Sequence, residues 1–163
     1  MLGIPSEEVV PGVTLDGSIV IDESIWLRLV GEPGRHMQNA HDCLKKKQYR
    51  EAQESLRSAA SFLYIAHGNA SKPAEAALMR SARELDRLAD NVSRGAIPSI
   101  GELRPVFARA HHALARHHAI KSAAALPDTH YETAGSYLGS SLNHFQRADW
   151  WDLALQPDSV QPK

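Results

Sequence analysis

Residues 110–119 read Ala-His-His-Ala-Leu-Ala-Arg-His-His-Ala and hold four of the nine histidines of a 163-residue chain. Alanine, leucine and arginine are strong helix formers, so the stretch reads as the middle of a helix. Ser99-Ile100-Gly101-Glu102 upstream has the Ser-x-x-Glu form of a capping box, and Pro127 downstream stops the run at about Leu126. A helix of this length needs neighbours to cover it, and the flanking sequence supplies them.

On the C-terminal side a fifth helix is expected from near Asp128 through Tyr131, Ala134, Leu138, Leu142 and Phe145, as far as Leu155 if Trp150 and Trp151 pack. On the N-terminal side, Ala74, Ala77, Leu78, Ala82, Leu85, Leu88, Ala89 and Val92 form the apolar stripe of a third helix. That helix opens near Ser71 or Lys72, tolerates Pro73 in its first turn, and stops at Gly95 and Pro98. A second helix carries Tyr49, Ala52, Leu56, Ala59, Ala60, Leu63 and His67 on one face, ahead of Gly68. A first, from about Arg35 to Lys46, turns Met37, Ala40, His41 and Leu44 inward. The fold class expected is all-α, an up-and-down antiparallel bundle of about five helices.

Residues 1–31 read differently. Met1–Gly12 holds two prolines and little periodicity, and Val13–Ile21 sets β-branched residues around Asp16-Gly17, the signature of a two-residue hairpin. Trp26, Leu27 and Leu29 suit a short helical turn before Gly31-Glu32-Pro33-Gly34 interrupts it. A single domain is expected: an N-terminal arm or short β-hairpin at 1–31, the bundle at 32–155 and a frayed tail at 156–163.

Ala40, Tyr49, Ala52, Leu56 and Ala59 fall at spacings similar to those of a tetratricopeptide-type helix-turn-helix, in which small residues let paired helices approach closely. The resemblance covers residues 36–64. His36 stands where a large apolar residue is usual, and Lys47 where a glycine often turns the chain. One unit is not an array, since solenoids need about three repeats. The resemblance therefore implies αα-hairpin geometry and not the family's peptide-binding groove. A fainter repeat links Tyr49–Ser58 with Tyr131–Ser140, each following a helix with two histidines five residues apart, His36 with His41 and His112 with His117.

The 18 Lys and Arg are balanced by 19 Asp and Glu, a formal charge of -1, so no global basic field holds a phosphate backbone and nucleic acid is not an expected partner. Cys43 stands alone, which excludes an internal disulfide and a zinc-finger spacing, and it reads as a small core-edge residue. No segment has the eighteen or so consecutive apolar residues of a membrane span. Met1–Pro11 lacks a basic flank and an apolar run of signal-peptide length, so the chain reads as cytoplasmic unless an export signal has been removed. No Gly-x-Ser-x-Gly elbow and no phosphate loop occurs.

On an ideal helix at 100° per residue, His111 and His118 border the apolar stripe of Leu103, Phe107 and Leu114, His117 lies at its other edge beside Ala110, and His112 faces water. No two histidines are three or four apart and no Glu-x-x-His occurs, so helix-borne chelation on one element is excluded. Counting about 1.5 Å per residue back from Pro127 sets His111 opposite residues 143–144 of an antiparallel fifth helix, which makes His144 its partner. The same count brings His118 to Tyr137, whereas His41 and His67 lie too far apart along their hairpin to share a site.

Two functions follow as expectations. The first is a non-catalytic binding or scaffolding module without a cofactor, which engages a protein partner or self-associates through Trp150-Trp151 or the N-terminal arm. The alternative is a transition-metal or non-covalent haem protein with His111, His144, His118 and His41 as ligands. A third option is a pH switch, because clustered imidazoles repel once protonated near their ordinary pKa of about 6.5.

Overall fold

The computed structural model describes residues 30–127 and 129–153. They form five helices and, among the described residues, no strand: α1 (Glu32–Lys45), α2 (Tyr49–Gly68), α3 (Lys72–Ser93), α4 (Ile100–Ala125) and α5 (Tyr131–Leu153). The chain divides into two units, Met1–Val30 and Gly31–Lys163, and all five helices belong to the second. The hairpin at Val13–Ile21, the N-terminal arm, the Trp26 turn and the tail lie outside the described residues. No described helix is long and apolar enough to cross a membrane.

The helix ends follow local chemistry. At the start of α4 the Glu102 N–H donates to Ser99 Oγ at 3.2 Å and the Ser99 N–H donates to the Glu102 carboxylate at 2.7 Å, a complete capping box. α1 begins earlier than its apolar pattern suggests, because Pro33 and Gly34 fit a first turn whose N–H groups have no intrahelical acceptor anyway. Lys47 turns the chain between α1 and α2 at φ 60°, the left-handed conformation a glycine usually supplies. Thr129 at φ 59° does the same before α5, which therefore starts at Tyr131 and not at Asp128.

Consecutive helices pack on one another, and α4 also touches α1 and α2. Asn39 donates to Ser55 Oγ at 2.6 Å across α1 and α2, where His36 also stacks on Phe62 with ring centroids 5.6 Å apart. Arg57 pairs with Asp90 at 2.6 Å across α2 and α3, and Arg109 pairs with Glu84 at 3.0 Å across α3 and α4. As α4 is followed back from Ser122 to Ala115 to His111, its partners on α5 advance from Ala134 to Ser141 to His144, so these two helices run in opposite directions. Cys43 is a free, buried thiol.

One expectation about burial is corrected, and the buried face of α5 is defined. His117 is not at an edge; it is buried with His111 and His118, because α4 is covered by α3 on one side and α5 on the other and buries most of its circumference. On α5 the buried face is Ala134, Tyr137, Ser141, His144, Ala148 and Trp151, while Leu138 and Leu142 are each 56% exposed, Phe145 42% and Tyr131 67%. The α4 surface facing α5 is rich in alanine, so it is filled by rings and by serines whose hydroxyls donate to the Ala115 and Ala134 carbonyls, at 2.8 Å each. Trp151 is likewise inside, edge-on to Phe107 at 5.0 Å, which leaves Trp150 alone on the surface.

Replacing Ser99 with alanine removes one half of the capping box and should lower stability by about 1 kcal/mol. Urea melts followed by circular dichroism test this, and an unchanged midpoint would mean that the start of α4 is held by other contacts.

Candidate functional site

α4 and α5 meet at a block of four imidazoles. His111 and His118 are 0% exposed and His117 and His144 are 1% exposed. His111 Nδ1 and His144 Nδ1 face each other at 2.9 Å, a hydrogen bond in which one ring donates and the other accepts. His144 stacks on His118 with centroids 5.4 Å apart and planes within 7°, and His118 stacks in turn on Tyr137 at 5.9 Å. His117 stands against His118 at 5.1 Å. The rings are placed by seven-residue spacing: His111 and His118 project from the same side of α4, and Tyr137 and His144 from the same side of α5.

Burial dominates the electrostatics. It pushes the His111 pKa down to about 2, with further lowering from His144, Arg147 and His112. His118 falls to about 3 through burial and then His144, His117 and Lys121, and His117 to about 4 through burial and Lys121. No carboxylate opposes these shifts, so at neutral pH His111, His117 and His118 are uncharged. With no solvent path to them they are packing and hydrogen-bonding groups at that pH. α1 closes the end of the block at Gly34, where a built Cβ would lie 3.1 Å from His111 Cε1 and 3.3 Å from the Arg147 guanidinium.

The structure thus brings His111, His144 and His118 together. His41 sits elsewhere on α1, with its Nδ1 3.0 Å from Asp42 Oδ1 and its ring edge-on to Trp151 at 5.4 Å. Among the described residues no group of three or more His, Cys, Asp or Glu side chains is arranged to hold a metal ion. The near-parallel planes of His118 and His144 aim their ring nitrogens along parallel planes and not at a common point.

A second feature is the outward direction of the apolar residues of α5, on which the sequence pattern was silent. Tyr131, Leu138, Leu142 and Phe145 stand at spacings of seven, four and three, and form one exposed stripe on the outer face of α5. Between Glu132 and Arg147 the helix has no Lys, Arg, Asp or Glu at all. An exposed helix normally has a charged outer face, so this charge-free run was the signal available in the sequence. His112, exposed on α4, lies beside the stripe with its ring 6.0 Å from that of Phe145 and its Nε2 3.4 Å from Asp152.

Acid should unfold the bundle through the imidazoles. Their folded pKa values lie below the ordinary 6.5, so the unfolded chain binds more protons, and stability present above pH 6.5 is lost as pH falls towards the folded values. Each histidine contributes a slope of about 1.4 kcal/mol per pH unit below 6, and three together about 4 kcal/mol per unit. Urea midpoints at pH 7.5, 6.5 and 5.5 should fall steeply in the last interval, and less steeply in His118→Phe; a flat profile in the parent protein would remove this account. No family model, curated protein or solved structure matches the chain, so the reading of function rests on this geometry.

Proposed function

We propose that the chain is a non-catalytic binding or scaffolding module, an up-and-down antiparallel five-helix bundle that engages a protein partner or a second copy of itself through the outer face of α5. The observation that supports it is the exposed Tyr131, Leu138, Leu142 and Phe145 stripe on a helix free of charge from 133 to 146. Depletion of charged side chains with retention of aromatic ones is what distinguishes the core of a protein interface from ordinary surface. The stripe spans about 21 Å from Tyr131 to Phe145, long enough for a partner helix of four turns. The tetratricopeptide-like spacing of residues 36–64 supplies packing between α1 and α2 in this reading.

A photo-crosslinking amino acid at position 142, expressed in cells, should yield discrete protein adducts that the same residue at exposed position 50 on α2 does not. Leu142→Asp should leave the circular dichroism melt within about 0.5 kcal/mol of the parent, since the site is exposed. It should remove any concentration-dependent association seen by sedimentation. Equal labelling at the two positions, with a strictly monomeric parent, would sink the proposal.

A second reading is a transition-metal ion or non-covalent haem held by His111 and His144 with His118; His41, against Asp42 and Trp151, stands outside such a site. It is favoured by the 2.9 Å approach of the His111 and His144 Nδ1 atoms. Elemental analysis and a visible spectrum of unsupplemented protein decide it: stoichiometric metal or a Soret band is the expected result, and featureless, metal-free protein overturns it.

A further inference from the structure

A groove of about 210 Å³ between α3 and α4 is lined by Arg80, Ser81, Arg109, His112 and Arg116. Arg109 is neutralised by Glu84, at 3.0 and 3.1 Å. Arg80 and Arg116 have no ion pair or side-chain hydrogen bond among the described residues, although both are exposed. In a chain of formal charge -1, two uncommitted guanidiniums in one concave site are a local surplus and not a reflection of composition. His112 joins the two features, because it lines the groove and also meets Phe145 edge-on.

We propose that the occupant of this face is an amphipathic helix of a partner protein with an acidic edge, its apolar side on Leu138, Leu142 and Phe145 and its carboxylates on Arg116 and Arg80. The inference rests on the docking role proposed for α5 and adds the chemistry of the partner. Arg116 stands one turn beyond His112 on α4, and His112 lines the groove and meets Phe145, so the guanidinium edge on α4 borders the stripe on α5. Leucines at i, i+4 and i+7 meet the stripe, and carboxylates on the adjoining edge meet the guanidiniums, which bind carboxylates through two N–H groups at once. Gly135 and Gly139 lie beside the stripe with nothing within 4 Å of a built Cβ, and leave room for the partner backbone to come close.

The test uses the full chain and two synthetic helical peptides of about six turns. Both have leucine at i, i+4, i+7 and i+11; one has glutamate along one edge and the other lysine at the same positions. Fluorescence anisotropy should show the glutamate peptide binding at least about tenfold more tightly, with the preference fading as salt rises. The double substitution Arg80→Glu with Arg116→Glu should invert that preference, and Leu142→Asp, or Leu138→Ser as a second variant, should weaken both peptides. Circular dichroism melts show whether each variant keeps the fold. Equal binding of the two peptides, no binding of either, or an unchanged preference in the double variant would each overturn the inference. If position 142 still crosslinks while the glutamate preference is absent, the docking face stands and the acidic partner falls. If Leu142→Asp has no effect and inorganic phosphate at matched ionic strength displaces the glutamate peptide, the groove is a plain anion site and the inference falls.

Discussion

The contact between α4 and α5 is built from buried imidazole, and the surrounding arrangement depends on it. Four histidines and a tyrosine occupy the volume that aliphatic side chains would fill in an ordinary bundle, and the serines beside them reach the backbone carbonyls of the facing helix. A ring stack is flat, so it suits the alanine-rich surface of α4, against which α5 lays its rings without deep interdigitation. It is also directional, because the His111–His144 hydrogen bond and the two serine bonds fix the register of one helix against the other. Slippage by a single residue would leave several buried polar atoms unsatisfied, each at a cost of about 1–3 kcal/mol.

That register decides what α5 shows to the outside. With Tyr137, Ser141, His144 and Trp151 turned inward, Leu138, Leu142 and Phe145 have no place in the core and stand on the surface. The inner and outer faces are therefore consequences of one choice. A polar, aromatic seam inside leaves an aliphatic, charge-free one outside, the reverse of the usual amphipathic helix.

The five helices were legible because their signals are local: Ser99 and Glu102 for a start, Pro127 and Gly95 for stops, and three-and-four spacing between them. The His111–His144 contact was legible because two regular helices meeting at a short turn can be aligned by rise per residue alone. The burial of His117 was not, because a single apolar stripe presumes one neighbour and α4 has helices on both sides. The outward leucines of α5 were hidden for a different reason. Ranking residues by hydrophobicity sends leucine in and serine or histidine out, whereas ring shape and hydrogen-bond satisfaction reversed the order on this helix. Lys47 is a third case, where a non-glycine residue takes a left-handed turn at φ 60° that its side chain disfavours.

In the docking proposed above, the guanidiniums of the α3–α4 groove and the stripe at Leu138, Leu142 and Phe145, joined through His112, would act on two different rates. Charge acts at a distance of about a Debye length, so guanidiniums at the rim influence how often a partner arrives and in what orientation. Apolar contact acts only once water has left, so in that docking the leucines would govern how long the partner stays. His112 stands at the boundary between the two regions, touching Phe145 on one side and Asp152 on the other. Ionic strength would then tune arrival and leave residence largely alone, and temperature, through the hydrophobic contribution, would do the opposite.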